Sequence, residues 1–186
     1  MKILAFFGGA RKKGNTMGML NYLLDNLEGE KEVINCYSLK VTPCTDCRYC
    51  YTHPECAIKD GMVDIYKKVK EADIIIFAAP IYFFGTPGPM KVMMDRFQVF
   101  WASVLRGDKL EKFTKKGAIL MSGGSPMFKT QFTAGLLEIS EALNVYNAEK
   151  MGEVLMADAD EVENLDQRPE IKEEILKLAA LLKQEV

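Results

Sequence analysis

The sequence has little net charge, one histidine and no long apolar run, and each shortage excludes a class of function. Its 186 residues carry 24 basic and 26 acidic side chains, so no positive surplus is available to bind nucleic acid or an anionic lipid surface. The longest strongly apolar stretch, residues 72–84, contains Asp73 and Pro80 and is too short to span a bilayer. We therefore expect a small-molecule or protein partner, with no nucleic acid and no membrane.

The chain also lacks the scattered cysteine pairs that are typical of secreted proteins. Of its five cysteines, Cys36 stands apart and the other four lie within residues 44–56. An oxidising compartment favours pairs spread along the sequence as loop staples, whereas a cluster favours a ligand site. The apolar start of the chain is only about five residues long and reads as a buried strand rather than a signal peptide. The expected localisation is cytoplasmic.

Short β-rich runs alternate with segments of helical period, and no repeat or long linker divides the chain. We predict one domain over residues 1–186, with a cysteine-rich loop inserted at about 42–60. The pattern predicts five helices and five strands, and the helix opened by "TPGP" is expected to run as one element from Met90 to Val104. The strands are predicted at 3–7, 33–37, 73–79, 117–121 and near Val154. Strand runs that are apolar throughout predict an α/β protein with a parallel sheet covered on both faces.

The loop after the first strand, "GGARKKGNT", has the character of a phosphate seat. A glycine-bearing loop that leads into a helix offers free N–H groups and the positive end of the helix dipole. The Gly9-x4-Gly14 spacing matches a nucleotide-binding loop, but Asn15 stands where that motif needs lysine. We therefore expect one terminal phosphate, with side-chain donors from Asn15 and Thr16 and a charge from Arg11. The alternatives are a plain strand-to-helix turn capped by Asn15, or a nucleotide-binding enzyme.

Two further loops follow strands at the same predicted edge, where parallel sheets bind ligands. "PIYFFGTPGP" supplies three aromatic residues that a flat ligand could stack on, although the same residues would also suit the core or a subunit contact. "SGGSP" is a glycine turn with accessible N–H groups. A phosphate seat, an aromatic wall and a hydrogen-bonding edge together match flavin mononucleotide, FMN. The predicted cofactor-binding residues are Gly9, Arg11, Gly14, Asn15, Thr16, Pro80, Ile81, Tyr82, Phe83, Phe84, Gly85, Ser122, Gly123, Gly124 and Ser125.

The four clustered cysteines follow the pattern C-x2-C-x2-C-x5-C at Cys44, Cys47, Cys50 and Cys56. Four thiolates at this spacing can hold a [4Fe–4S] cluster or a tetrahedral zinc ion. Zinc held by four cysteines usually uses two close pairs and a longer spacer, so the spacing favours the cluster. Zinc and an empty loop of free thiols stay as alternatives. His53 is interpreted as a solvated loop residue rather than a ligand.

Three stretches, "GGARKKGNT", "APIYFFGTPGPMKVMMDR" and "SGGS", resemble the NADPH-dependent FMN reductase family up to about residue 150, and the cysteine spacing resembles its iron–sulfur flavoproteins. The resemblance implies a flavodoxin-like three-layer α/β/α sandwich with a five-stranded parallel sheet of order 2-1-3-4-5. It also implies an FMN cofactor and a homodimer or dimer of dimers. The first loop of this family usually reads "GSPR", and here Gly9 and Ala10 replace its serine and proline, so one hydroxyl donor to the phosphate is missing.

The expected function is that of an FMN-dependent oxidoreductase. Electrons would pass between FMN and the cluster, or from NAD(P)H to FMN and a small acceptor, with a ferredoxin-type protein as the other candidate donor. No catalytic residue is named, because hydride acceptance by a flavin needs no acid or base, and the N–H groups of the 122–125 turn would stabilise the charge of the reduced ring. The alternatives are a zinc-binding flavodoxin-like protein and a phosphate- or nucleotide-binding enzyme. The apolar "FQVFWASVL" segment favours self-association.

Overall fold

A parallel sheet forms the centre of the fold. The structure is a computed structural model that describes residues 1–108 and 114–184 of the chain. The strands lie in the order β2-β1-β3-β4-β5 and every neighbouring pair is parallel, which confirms the order implied by the resemblance. Their bounds are β1 (Lys2–Phe7), β2 (Glu30–Asn35), β3 (Ile74–Pro80), β4 (Lys115–Ser122) and β5 (Ala148–Met156).

Helices cover both faces of this sheet and complete an α/β/α sandwich. Their bounds are α1 (Asn15–Asp25), α2 (Met62–Glu71), α3 (Gly88–Asp95), α4 (Gln98–Arg106), α5 (Thr133–Val145) and α6 (Pro169–Lys183), with 3-10 turns at Cys36–Ser38, Tyr49–Tyr51 and Leu165–Gln167. Apolar residues of α1 and α6 pack on one face, and those of α2, α3, α4 and α5 pack on the other. Almost every residue of the central strands β1 and β3 is buried, which explains their uninterrupted apolar runs.

The prediction of one helix from Met90 to Val104 was wrong, and with it the prediction of five helices. The segment forms two helices, α3 and α4, which meet at Arg96 and Phe97. At this break the carbonyl oxygen of Arg96 accepts a hydrogen bond from the Tyr66 hydroxyl, at 2.8 Å. The Arg96 side chain is fully buried and reaches the loop that precedes α2. The contacts of one arginine therefore coincide with the interruption of the helix.

The second and fifth strands are edge strands, and their predicted positions were inaccurate for that reason. The strand predicted at 33–37 is observed at Glu30–Asn35, because pairing with β1 stops at Phe7 and Asn35. Beyond it, the Asn35 side chain accepts a hydrogen bond from the N–H of Tyr37 and begins a 3-10 turn. The strand that was predicted near Val154 begins at Ala148. Its first half contains several exposed polar residues, so that part of the sequence lacks the apolar run of a buried strand.

Residues 42–60, which were predicted to form an insertion, run between β2 and α2 as irregular chain with one 3-10 turn at Tyr49–Tyr51. They lie beside α4 rather than within the sheet, because Arg106 and Arg96 contact them from its two ends. The prediction of a single domain over residues 1–186 extends beyond the described ranges and stays a prediction. Across residues 1–108 and 114–184, no helix combines the length and apolarity needed to cross a membrane.

Candidate functional site

The loops that follow β1, β3 and β4 meet at the carboxyl edge of the sheet, as the sequence predicted. One pocket there is lined by residues from all three loops and by one residue of the segment that follows β5. The lining residues are Phe7, Gly9, Arg11, Gly14, Asn15, Thr16, Pro80, Tyr82, Ser122 and Ala159. Because β1 and β3 are neighbours at the point where the strand order reverses, the pocket occupies the position where open α/β sheets bind ligands.

The amino end of α1 opens on this pocket without a side-chain cap. Gly14 precedes the helix in an extended conformation, makes no side-chain cap bond, and is followed by a first turn that contains no acidic residue. The first N–H groups of a helix have no partner inside the helix, and the dipole concentrates positive charge there. This end of α1 therefore offers an anion several backbone donors and a favourable field.

Two hydroxyl groups join the first and third loops beneath the pocket. Thr16 and Ser122 are both buried, and their hydroxyl oxygens lie 2.5 Å apart. In such a pair one hydroxyl donates to the other, and the accepting hydroxyl keeps its own hydrogen for a further partner. The pair can therefore donate one hydrogen bond to an anion held at the end of α1.

The side chain of Asn15 differs from its predicted role. Its amide nitrogen donates to the carbonyl oxygens of Ala159 at 2.7 Å and Val162 at 3.1 Å, so both amide hydrogens are used. The side chain thus fastens the segment after β5, and only the backbone N–H of Asn15 can face a phosphate. Arg11 lies at the mouth of the pocket, exposed, with its guanidinium 3.7 Å from the carboxylate of Asp160.

The segment that follows β5 forms a fourth wall of the site, which the sequence reasoning missed. Gly123 donates its N–H to Met156 at 2.8 Å and accepts from Ala159 at 2.9 Å, so the donors left at the predicted 122–125 turn are those of Gly124 and Ser125. A Cβ on Gly124 would lie 2.1 Å from a carboxylate oxygen of Asp160, so a larger residue there would displace the Asp160 side chain. The sequence did offer a signal for this wall: the segment follows a predicted parallel strand, and the ends of such strands meet at the edge where ligands bind.

The predicted aromatic wall is a tight hairpin turn. Tyr82 and Gly85 exchange backbone hydrogen bonds of 3.1 and 3.2 Å, and between them Phe83 and Phe84 have φ angles of 47° and 67°. Positive φ at both central positions is typical of a two-residue hairpin turn that normally uses asparagine and glycine. A bulky side chain in that region is strained, and such strain persists only where the surrounding structure imposes it.

The aromatic side chains of this turn divide between the pocket and solvent. Pro80 and Tyr82 line the pocket, while the Phe83 side chain is 98% exposed and Phe84 packs edge-on against Phe128, with ring centroids 6.1 Å apart. The wall therefore has an inner part at the pocket and an outer apolar part that faces away from the core.

Two side chains fix the rest of that loop. Ile81 packs against the core below α5, and the Glu138 carboxylate of α5 accepts from the hydroxyl of Thr86 at 2.6 Å and from its N–H at 3.2 Å. The predicted stacking residues are therefore held on a loop that is anchored at both ends.

The four clustered cysteines line one small pocket between their own loop and the start of α4. Cys44 and Cys47 are exposed, Cys56 is half-buried and Cys50 is buried; Arg96 and Val99 are among the other residues that line the pocket. Burial raises the pKa of the Cys50 thiol, and the neighbouring thiols of the other three raise it further. All four cysteines thus border one space.

Within the part of the chain that the structure describes, no three or more histidine, cysteine or acidic side chains are grouped closely enough to hold a metal ion. Zinc needs its sulfur ligands about 2.3 Å from a single centre. A [4Fe–4S] cluster binds each cysteine to a different iron atom, so its sulfur ligands stand further apart. The donor set, four cysteine thiols at one pocket, is the one that both a zinc ion and a cluster use.

Two arginines, the buried Arg96 and the half-buried Arg106, hold this loop from the side of the helices, and the sequence reasoning missed both. Arg106 donates to the carbonyl oxygen of Cys50 at 2.5 Å, and Arg96 forms an ion pair with Asp60 in which one N···O distance is 2.8 Å. Burial alone would raise the pKa of Asp60, but hydrogen bonds from Arg96 and from two backbone N–H groups bring that pKa below its usual value. His53 stacks on Tyr49 with 3.8 Å between ring centroids and stays exposed, as expected for a solvated residue.

Comparisons with known proteins give the chain its relatives. The model of the NADPH-dependent FMN reductase family matches residues 1–150. An iron–sulfur flavoprotein of Methanocaldococcus jannaschii is 37% identical over 99 residues, which is 52% of this chain and 51% of that protein. An iron–sulfur flavoprotein of Methanosarcina thermophila is 33% identical over 128 residues, 67% of this chain and 64% of that protein. The chain spans about half the length of several of the curated relatives that it matches.

A solved structure shows the same fold. The FMN-dependent NADH-azoreductase of Bacillus anthracis, solved in complex with FMN, superposes with a TM-score of 0.66 over 98% of this chain and 99% of that chain. The two sequences are 11% identical, so the likeness concerns the fold alone.

Proposed function

The chain belongs to the NADPH-dependent FMN reductase family, and from that premise we propose that it is an FMN-dependent oxidoreductase with an iron–sulfur cluster on Cys44, Cys47, Cys50 and Cys56. The observation that carries the FMN part is the pocket at the carboxyl edge of the sheet, where the uncapped amino end of α1 meets the loops after β3 and β4. The observation that carries the cluster part is the single pocket around the four cysteines.

The first loop would hold the phosphate of FMN. Backbone N–H groups from Gly9 to Thr16 and the Thr16–Ser122 hydroxyl pair would donate to its oxygens. Arg11 would supply charge by exchanging its weak, exposed pairing with Asp160 for the phosphate. The missing serine hydroxyl of the family's usual "GSPR" loop would thus be replaced by a hydroxyl pair that lies deeper in the site.

The second and third loops would hold the ring system. Residues Pro80 to Gly85 would line the isoalloxazine, with Tyr82 at the pocket and the two phenylalanines towards the outer side. The N–H groups of Gly124 and Ser125 would donate to the pyrimidine edge and stabilise negative charge there. When bound, FMN itself supplies hydride acceptance and the ability to pass electrons singly or in pairs, so the chain needs to provide binding and orientation but no general base.

The cysteine loop would supply the one-electron site. Four thiolates around one pocket match the ligand set of a [4Fe–4S] cluster. Zinc on the same four cysteines is the second candidate, and it would leave a flavoprotein without a redox metal. A nucleotide-binding enzyme is disfavoured, because Asn15 stands at the lysine position and its amide hydrogens are both used.

The family name indicates a nicotinamide donor, so NAD(P)H is the proposed electron source, with a ferredoxin-type protein as the alternative and a small molecule as the acceptor. Trp101, Val104 and Leu105 on α4 and Leu137 on α5 are exposed, which supports the proposal that the chain forms homodimers or dimers of dimers. The cytoplasm stays the proposed location, on the grounds of the clustered cysteines.

Purification without oxygen and analysis of the bound groups test this proposal. We expect stoichiometric FMN, together with iron and acid-labile sulfide in equal amounts, and flavin reduction by NADPH or NADH. Protein that contains flavin with zinc, or flavin without any metal, would contradict the proposed cluster but would leave the proposed FMN-dependent oxidoreductase standing. Protein that binds no flavin when supplied with excess FMN would overturn the proposal as a whole.

A further inference from the structure

Arg96 is buried at the break between α3 and α4, beside the cysteine pocket. Its side chain is 0% exposed, which is rare for arginine and requires partners for each of its donors. The guanidinium forms two bonds with Asp60, at 2.8 and 3.2 Å. It also donates to the carbonyl oxygens of Thr42 at 2.6 Å and Ile58 at 3.1 Å.

These bonds close the base of the cysteine loop. Thr42 lies just before Cys44, and Ile58 and Asp60 lie just after Cys56. The Asp60 carboxylate strengthens the closure, because it also accepts from the N–H of Thr42 at 2.7 Å. One side chain therefore joins the two ends of the segment that contains all four cysteines.

Two features of Arg96 go beyond closing a loop. Its Nη2 lies 3.4 Å from the Sγ of Cys56 and donates to it. Its Nε–H is buried and has no hydrogen-bond partner among the described residues, although a buried donor without a partner is costly. Arg96 also lines the pocket that the four cysteines surround. The donor to the Cys56 sulfur and the unpartnered Nε–H thus both belong to a side chain that lines the cysteine pocket.

From these contacts we infer that Arg96 is the positioning residue of the iron–sulfur site: it donates a hydrogen bond to the Cys56 sulfur and places the cationic half of the buried Arg96–Asp60 ion pair beside the four thiolates. The inference rests on the proposed function. Hydrogen bonds to ligating sulfur atoms and nearby charge set the reduction potential of such sites. Because reduction adds one electron and therefore negative charge, a buried donor and cation stabilise the reduced form and raise its midpoint potential.

The competing explanation is that Arg96 has a purely structural role. Three variants separate this role from an effect on the metal site. Asp60→Asn breaks the buried ion pair but keeps the donor to Cys56. Arg96→Gln combined with Asp60→Asn breaks the same pair without leaving Asp60 as an uncompensated buried charge, and it removes the arginine donors. Arg96→Lys, in the otherwise unchanged chain, keeps the positive charge and loses the planar fork.

The measurement is the midpoint potential of the metal site by anaerobic redox titration, followed by electron paramagnetic resonance of the reduced protein. Bound FMN and the thermal midpoint report folding. We expect the double variant to have a lower potential than Asp60→Asn, with Arg96→Lys nearer to the unchanged chain. If the double variant and Arg96→Lys bind FMN but hold no iron while Asp60→Asn holds it, Arg96 acts by closing the loop and the inference is overturned. Equal potentials in Asp60→Asn and the double variant would overturn the inference.

The control for the proposed function is the unchanged chain. If it binds no iron and sulfide, the cluster proposal has failed before Arg96 is tested. If it binds both and its potential is insensitive to Arg96, the cluster stands and the role of Arg96 has failed. Lys150→Gln is a further control, because Lys150 lies on β5 and pairs with Glu153 rather than with the cysteine loop, so we expect its potential to stay at that of the unchanged chain.

Discussion

The crevice at the sheet edge and the cysteine loop are built in opposite ways. The crevice is made by backbone: the ends of three parallel strands and the first turn of α1 supply its walls and donors. The cysteine loop contains no strand, and side chains hold it in place, chiefly Arg96, Asp60 and Arg106. A site of the first kind follows from topology, whereas a site of the second kind depends on a few buried charges. The two sites should therefore be separable by mutation.

The largest expected effect comes from a ligand cysteine. Cys47→Ser removes an exposed thiol and substitutes a poor ligand for iron, so we expect complete loss of iron and sulfide, with FMN bound as in the unchanged chain. Iron, sulfide and flavin contents measure this. Cys36→Ala is the matched control, because Cys36 is buried just after β2 and does not line the cysteine pocket, and the variant should keep its iron. Loss of FMN from Cys47→Ser would show that the two sites are not separate.

The second largest expected effect is a loss of FMN affinity at the crevice, from a substitution that leaves the cysteine loop unchanged. Thr16→Val keeps the shape of the side chain but removes its hydroxyl from the buried pair with Ser122. A hydrogen bond to a charged group contributes about 1.5–3 kcal/mol, so we expect FMN to bind roughly 10- to 100-fold more weakly. Titration of the apoprotein with FMN measures the affinity, and Thr130→Val, at an exposed position, is the control. Unchanged affinity would contradict the proposed phosphate seat.

The fifth cysteine, Cys36, is expected to affect the stability of the fold rather than either site. Burial raises the pKa of the Cys36 thiol to about 12, from about 9 in the unfolded chain. Because the pKa is higher in the folded chain, the neutral thiol stabilises the fold fully below about pH 9 and this contribution is lost as the pH rises towards 12.

We expect the free energy of unfolding to fall above pH 9 more steeply in the unchanged chain than in Cys36→Ala. The difference in slope should reach at most about 1.4 kcal/mol per pH unit. Denaturant unfolding of both proteins, in steps between about pH 8 and pH 10.5, provides the comparison. Parallel curves would mean that Cys36 is accessible to water in the folded chain.

The smallest effect concerns the hairpin turn at the crevice. Phe83 has a positive φ of 47° and a side chain that is 98% exposed, so glycine should relieve backbone strain without loss of packing. We expect Phe83→Gly to raise the free energy of unfolding by about 1 kcal/mol. Phe83→Ala keeps the Cβ atom and should leave the stability close to that of the unchanged chain. Equal stability of the two variants would argue against strain at this turn.

The two regions also differ in how far the sequence predicts them. Apolar strand runs that alternate with helical segments predicted a parallel sheet with three loops at one edge. Residues of all three loops line one pocket. The spacing of the cysteines predicted a shared site, and all four border one space. In both cases the pattern is local or follows from strand direction, which a sequence displays directly.

Long-range contacts of side chains are what the sequence did not display. Asn15 was expected to donate to a phosphate, but its amide reaches residues more than 140 positions away. Arg96 falls inside the segment that was predicted as one continuous helix, and its burial depends on Asp60, which is 36 positions away. Nothing in the local pattern marks such pairs, so the break between α3 and α4 and the support of the cysteine loop were both missed.

The most direct test of the central claim, one flavin and one cluster on the same chain, is an anaerobic reductive titration of the purified protein. FMN accepts two electrons and a [4Fe–4S] cluster accepts one, so we predict that full reduction consumes about three electron equivalents per chain. Cys47→Ser should consume about two. An unchanged chain that carries stoichiometric FMN and consumes only about two equivalents would contradict the account, because its four cysteines would then hold no redox-active centre.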